Sequence, residues 1–360
     1  FETITTAAPD PILGLTDAFN ADSNPDKVNL GVGIYKDAAG GTPTLEAVAK
    51  AERLVVESIG AGGGYLPITG LADYTQRTIE LLFGADNAAV ADGRVVAAQT
   101  PGGTGGLRVA GNFIRAMFPD ATIWMSDPTW ANHKGIFTTA GLPQETYPYY
   151  DHATGTLDFD GMMAALAQVP AGDVVLLHAC CHNPSGMDPD LEQWKQIATM
   201  AAERGFLPLF DCAYQGFGDD LDTDVAGLRA FADAGLEVLV VSSCSKNFGL
   251  YNQRIGAFSV VAQSREAAQA AMSQIKVCIR VNYSNPPAHG ARLVAAVLGD
   301  ASLRAMWETE LASMRDRINA VRREFVEAMA AKAPGRDFGF ITIQRGMFSF
   351  SGLTKAQVHV

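Results

Sequence analysis

The sequence predicts an α/β protein: a mixed, mostly parallel sheet flanked by helices in a large domain, with a smaller α/β domain beside it. Three observations carry this. Short apolar runs such as Val238-Leu239-Val240-Val241 show no polar alternation, as expected of strands buried on both faces. Those runs alternate with amphipathic helical stretches, the pattern of β-then-α units. The chain of 360 residues is also too long for one small core.

The elements follow in order. Leu45 to Ile59 has helical spacing, and Leu71 to Phe83 has it again, stopped by Gly84. Val95 to Ala98 reads as a short strand leading through Pro101-Gly102-Gly103-Thr104-Gly105-Gly106 into a helix to Phe118. Thr122 to Met125 is a strand stopped by Asp127-Pro128, and Asp173 to Leu177 is one ending in Cys180-Cys181-His182-Asn183-Pro184. Leu191 to Arg204 is a helix closed by Gly205, followed by a strand from Leu207 to Phe210. Val238 to Val241 and Gly256 to Val261 are further strands, and Leu303 to Ala331 is a long helix. Phe338 to Ile343 reads as a strand, and Gly60 to Gly64 as a glycine-rich loop before Tyr65. In such sheets a ligand lies outside the carboxyl ends of the strands, and each polar cluster of interest falls at such an end.

Composition excludes several classes. A net charge of −12 without a basic run argues against nucleic acid as a partner. Five cysteines, two of them adjacent and none in a CxxC pair, read as reduced, buried thiols of a cytoplasmic protein. No run reaches the ~18 apolar residues of a membrane span. The first residues lack the basic-then-apolar order of a secretion signal.

The chemistry gathers around Lys246, in Ser243-Cys244-Ser245-Lys246-Asn247-Phe248-Gly249, directly after a buried strand. Removal from water lowers a lysine's pKa and leaves an amine able to form an imine with an aldehyde. Asp211 ends another buried strand. It is either a helix cap, a buried ion-pair partner, or the counter-charge of a protonated pyridine nitrogen. Tyr214 and Asn183 can donate to a phenolate oxygen, although a core tyrosine and an Asn-Pro turn read equally plainly. Gly103 and Thr104 open a helix whose amides and dipole favour phosphate. Ser243, Ser245 and Arg254 add hydroxyls and a guanidinium beside the lysine. Trp130 either stacks on an aromatic cofactor or packs in the core. His133, His178 and His182 have no metal-type spacing and read as supporting hydrogen-bonding groups. No metal is expected. Together the set describes a pyridoxal 5′-phosphate (PLP) site.

Longer motifs sharpen this. Asn29 to Asp37, Pro101 to Gly106, Cys180 to Gly186, Ala213 to Phe217, Ser243 to Tyr251, Asn282 to Gly290 and Gly346 to Thr354 closely resemble the aspartate/aromatic aminotransferases of the type I fold of PLP enzymes. The resemblance implies a large domain over 43–313, with 1–42 and 314–360 forming the smaller one. It implies that Lys246 carries the internal aldimine and shuttles the substrate proton, with Asp211 and Tyr214 as its catalytic companions. Asp211 would face the pyridine nitrogen, Tyr214 and Asn183 the ring hydroxyl, and Trp130 the ring, with His133 behind Asp211. Gly103, Thr104, Ser243, Ser245 and Arg254 would hold the phosphate.

Tyr65 would reach the phosphate of a neighbouring protomer, and Arg280 would cross the same interface to bind the distal carboxylate of a dicarboxylic substrate. A homodimer with shared sites is therefore expected. Gly33, Trp130 and Asn183 would line the substrate. The implied reaction is ping-pong amino transfer from L-aspartate to 2-oxoglutarate, with an aromatic aminotransferase of the same family as the alternative. In the family, the arginine that grips the α-carboxylate lies beyond the counterpart of Val360, so a chain ending there is expected to hold PLP but turn over poorly.

Overall fold

The structure, a computed structural model, describes residues 1–6, 13–29, 31, 33–58, 64–354 and 357. Gly60 to Gly63 of the glycine-rich loop, Leu30 and Val32 of the Asn29–Asp37 motif, and most of the residues after Thr354 lie outside these. The chain divides into two units, Phe1–Thr42 and Pro43–Val360.

In the first unit a helix spans Leu13–Ala21. It is followed by Lys27, whose ammonium lies 4.5 Å from the Phe19 ring and donates to the carbonyls of Phe19 and Asp22. The rest of its described residues carry no strand.

Among its described residues the second unit has nine strands: β1 (Val95–Pro101), β2 (Ile123–Asp127), β3 (Gln144–Pro148), β4 (Tyr150–Asp151), β5 (Thr156–Leu157), β6 (Val174–His178), β7 (Leu207–Cys212), β8 (Val238–Ser243) and β9 (Ile255–Val261). Seven form one sheet in the order β1-β9-β8-β7-β6-β2-β3, and β4–β5 is a separate hairpin. The run from β8 through β7, β6 and β2 to β3 is parallel, while β9 pairs antiparallel with both β8 and β1. Because β9 is flanked on both sides antiparallel, β1 points the same way as β8. The carboxyl ends of β1, β8, β7, β6 and β2 therefore share one edge.

Side-chain alternation splits the sheet between two cores. Val175, Leu177, Phe210, Val238 and Val240 join one, packed under the helices Ala72–Phe83, Phe159–Leu166, Leu191–Arg204 and Ala226–Asp233. Val174, Leu176, Leu209, Leu239 and Val241 join the other, under Gly102–Met117, Asn132–Ala140 and Arg265–Asn282. Phe210 is fully buried, and truncating such a side chain to alanine costs about 3–5 kcal/mol. Helices thus cover both faces, as the continuous apolar runs predict. The helix Leu191–Arg204 starts at a capping box made by Asp190 and Gln193 and ends at Gly205, whose left-handed φ of 74° closes it.

Strand ends run further than the apolar pattern. β7 continues to Cys212 and β8 to Ser243, because the ladder still pairs Cys212 with Ser242 and Ser243 with Gly256. One element needs correction. Gly339–Ile343 is a 3₁₀ helix, not a strand. Phe338, Ile341 and Gln344 are its buried positions, a spacing of three that matches three residues per turn. Asp337 accepts from the Gly339 amide at 2.7 Å and starts the turn locally.

Candidate active site

The site lies at the shared strand edge. Lys246 sits in the turn after β8, half-buried, with the Lys246 carbonyl accepting from Gly249 N at 3.0 Å. That turn is fixed from behind. Asn247 donates to the Gln215 carbonyl at 3.2 Å, and Trp307 donates to the Asn247 carbonyl at 2.7 Å. Phe248 stacks on Trp307 with ring centroids 4.4 Å apart. The Lys246 ammonium stands 4.6 Å from the centre of the Tyr214 ring. Burial holds its pKa below the usual lysine value and Arg254 adds to this, while Asp211 opposes.

Asp211, in β7, is buried. Its Oδ2 lies 3.1 Å from His133 Nε2, and His133 Nδ1 lies 2.8 Å from the Thr129 hydroxyl. With the carboxylate ionised, Nε2 must donate to it. Burial pushes the Asp211 carboxyl up, but the His133 hydrogen bond and the nearby Lys246 outweigh it, and the net shift is downward. The site therefore holds a carboxylate at the bottom of a buried strand. Tyr214, also buried, is held well above the usual phenol range by burial and by Asp211, with a hydrogen bond to Asn183 opposing. Asn183 is not itself the end of a strand. It lies in the turn that follows β6.

A second group converges beside the lysine. Ser243 Oγ donates to Ser245 Oγ at 3.1 Å, and Arg254 Nη1 donates to Ser245 Oγ at 3.3 Å. Gly102, with a left-handed φ of +71°, begins the helix Gly102–Met117 against this guanidinium. A Cβ there would come within 2.6 Å of Arg254 Nη2. A Cβ on Gly103 would lie 3.2 Å from the Ser243 Cβ. The helix opening at Gly103-Thr104, two hydroxyls and one guanidinium thus face one small space, a donor set suited to phosphate. Trp130, half-buried after β2, meets the His133 ring edge-on at 5.2 Å.

Lys246, Asp211, Tyr214, Asn183, Trp130, His133, Gly103, Thr104, Ser243, Ser245 and Arg254 are therefore placed around the carboxyl ends of β1, β2, β6, β7 and β8. Two expected residues, Tyr65 and Arg280, are not part of that cluster. Tyr65 is 94% exposed. Arg280 is exposed at the end of the helix Arg265–Asn282, donating to Ser284. Gly33 lies in the other unit.

The structure also shows residues that linear spacing hid. His178 pairs in register with Asp211, so His133, His178 and Asp211 bring ligand-type atoms within 4.8 Å of one another. Both His178 ring nitrogens are buried without a hydrogen-bond partner, so His178 is not the supporting hydrogen-bonding group expected of it. His182 bridges Ser126 at 2.9 Å and Ser185 at 2.8 Å, under the stacked ring of Tyr149. Asp188 accepts from the Cys181 and His182 amides at 2.6 and 2.9 Å and so shapes the Asn183 turn. All five cysteines are free and buried.

The family model for aminotransferase class I and II matches residues 25–359. The chain belongs to that family. It is 53% identical to the aspartate aminotransferases of Salmonella typhi and of Escherichia coli K12, in each case over 99% of this chain and 90% of the relative. The aromatic-amino-acid aminotransferase of E. coli K12 is 45% identical over 99% of this chain and 90% of its own length. Among solved structures, the Burkholderia pseudomallei aromatic-amino-acid aminotransferase, covalently bound to pyridoxal phosphate, superposes with a TM-score of 0.97 at 50% identity, covering 100% of this chain and 90% of that one. As a class I/II aminotransferase the protein is a PLP enzyme of the type I fold. Its residues fit that cofactor on their own geometry, through a half-buried lysine, a buried carboxylate, a tyrosine–asparagine pair and a phosphate-type donor cup. Among the described residues, no helix is long and apolar enough to cross a membrane.

Proposed function

We propose that the protein transfers the amino group of L-aspartate to 2-oxoglutarate. One observation carries the chemistry: a lysine with depressed pKa stands 4.6 Å from Tyr214, within the field of the buried carboxylate Asp211. When bound, PLP supplies an aldehyde that condenses with amines and a protonated ring that accepts electrons. The protein's own groups do the rest. Lys246, whose ammonium form burial disfavours, would take the proton from the substrate Cα and return it on the cofactor side. Asp211, oriented by His133, keeps a negative charge at the ring-nitrogen position. Tyr214 and Asn183 donate at the ring-oxygen position, and Trp130 covers the ring. Gly103, Thr104, Ser243, Ser245 and Arg254 hold the phosphate. Gly33, Trp130 and Asn183 line the substrate.

The exposed Tyr65 and Arg280 fit a homodimer in which each reaches the other protomer's site, Arg280 to pair with the substrate's distal carboxylate. The division into a large domain, 43–313, and a small one, 1–42 with 314–360, belongs to the same reading. A cytoplasmic location fits the free, buried thiols.

Aspartate is favoured by the higher identity to aspartate-named relatives. The aromatic reading also has support, since the first solved neighbours are aromatic aminotransferases, one of them from Psychrobacter cocrystallised with aspartic acid. Absorbance spectra with and without L-aspartate test the reading. Conversion of the aldehyde band to the amine form is expected, and a band unmoved by millimolar aspartate would overturn it. The ratio of kcat/KM for aspartate and phenylalanine separates the two substrates.

A further inference from the structure

Arg322 is a cation buried in the middle of the long helix Ala301–Lys332, only 4% exposed. Its guanidinium donates to the carbonyls of Gly346 and Phe348, each at 2.6 Å. It also reaches Ser349 Oγ and Asn319 Oδ1, each at 3.3 Å. All four acceptors are neutral oxygens. A buried cation served in this way is costly to the fold unless every donor is used, so its placement calls for a reason.

The segment it grips supplies one. Residues 344–350 form no regular ladder, so their carbonyls need outside donors, and one nitrogen of Arg322, Nη2, meets two at once. The segment in turn lies on the turn that carries Asn183. Arg345 N donates to the Gly186 carbonyl at 2.7 Å, and Gly346 approaches so closely that a Cβ there would stand 2.3 Å from Cys181 Cβ. On the other side Gln344 ties Phe350 through two hydrogen bonds, at 2.8 and 3.2 Å, and Phe350 packs edge-on against Tyr150. Between these anchors, Phe348 meets the Tyr214 ring edge-on, with centroids 5.7 Å apart and planes at 85°. The Lys246 amine stands over the same tyrosine ring, 4.6 Å from its centroid.

We propose that Arg322 is a positioning residue for amino transfer. Its grip on the Gly346 and Phe348 carbonyls holds Phe348 against Tyr214, and so sets where the Tyr214 hydroxyl lies relative to Asn183. The inference rests on the reading of Tyr214 and Asn183 as the donors at the cofactor's ring oxygen.

The test uses the PLP-loaded enzyme and the variants Arg322→Gln, Arg322→Lys and Phe348→Leu. Trp124→Phe, which loses a remote hydrogen bond to Asp173, controls for stability alone. Arg322→Gln is expected to lower kcat for aspartate by about tenfold, with KM changed far less, as for a misplaced group away from the chemistry. It is also expected to move the pH titration of the cofactor's absorbance band upward, because a displaced phenol stabilises the ring oxygen less. Arg322→Lys restores part of both, since an ammonium can replace Nη2 at the carbonyls but not the Nε and Nη1 contacts to Ser349 and Asn319. A band titration and kcat indistinguishable from wild type, with only a lower Tm, would overturn the proposal. If Arg322→Gln fails to fold, Phe348→Leu decides with the same readouts and the same two outcomes. A wild-type protein that takes up no PLP sinks the site reading and the inference together. That result is distinct from a loaded wild type with indifferent variants.

Discussion

His133 Nε2 and Asp211 Oδ2 lie 3.1 Å apart at the floor of the site, both side chains out of contact with bulk water. The histidine is set by Thr129 at its other nitrogen, so the pair has one consistent hydrogen-bond direction, toward the carboxylate. A charge at this depth is tolerable because it is hydrogen-bonded. The arrangement makes Asp211 the electrostatic centre of the site and His133 its orienting group.

Replacing Asp211 with asparagine keeps the shape and removes the charge. We expect kcat to fall by about 10³-fold, the scale of a lost preorganised charge, while the protein stays folded and still takes up PLP. His133→Asn should cost about tenfold, since it disturbs only the carboxylate's support. Single-turnover rates with L-aspartate measure both. Equal losses for the two variants would contradict the division of roles.

Lys246→Ala removes the proton-transfer group and relieves a desolvated amine. Turnover should fall by at least ~10⁴-fold, beyond the usual range for general acid–base catalysis alone, because the covalent role goes too. Thermal stability of the cofactor-free protein should be unchanged or slightly higher, as the native state no longer holds a partly desolvated amine. Steady-state assays and thermal melts check the two halves separately.

Gly102→Ala places a Cβ at a left-handed φ, 2.6 Å from Arg254. Strain of roughly 1–2 kcal/mol and a displaced guanidinium should weaken PLP binding by at least tenfold. Equilibrium dialysis of the cofactor measures this. An alanine variant with wild-type affinity would remove Arg254 from the phosphate site.

His178 is pushed down to about 3, chiefly by burial and secondly by His133, with Asp211 opposing. An unfolded histidine titrates near 6.5, so between ~6.5 and 3 the unfolded chain binds a proton that the folded one refuses. This contribution to stability is complete above pH ~6.5 and is lost as the pH falls. Asp188, pushed up to about 6 by burial, has the opposite sign, because below that pH the folded state binds its proton first. Comparing wild type with His178→Gln isolates the histidine. From pH 7 to 4 the difference in unfolding free energy should shift toward the variant by up to a few kcal/mol. Denaturant melts at several pH values measure it, and a constant difference would show that His178 already carries a proton in the fold.

Arg280→Leu should lower kcat/KM for aspartate by about 10²–10³-fold, the scale of a lost arginine–carboxylate contact. Its effect on phenylalanine should be under tenfold. Parallel kinetics on the two amino acids measure the split.

Much of the site was legible because its members sit at strand ends. Apolar runs locate the strands, and the residue that follows each run is at the ligand edge by topology. Lys246, Asp211 and the Gly102–Gly103 helix opening were found in that way. Asn183 was misplaced by a few residues, since β6 stops at His178 and the turn after it has no periodic signal. The 3₁₀ helix at Gly339–Ile343 was read as a strand because a short apolar stretch looks alike at either period. Arg322 was missed as a site neighbour, and His178 was read as a hydrogen-bonding support although neither of its ring nitrogens has a hydrogen-bond partner. Nothing in a local window distinguishes a buried arginine on a long helix from a solvated one.

The sequence by itself determined the sheet, its coverage on both faces, the PLP-type residue set and the family. These depend on local periodicity and on motifs that are contiguous in the chain. Only the tertiary structure decided that His178 lies in register with Asp211, that Phe348 leans on Tyr214, and that Arg322 closes over the Gly346 and Phe348 carbonyls. Each joins residues far apart in sequence, and such contacts are set by how buried polar groups find partners once the chain has packed.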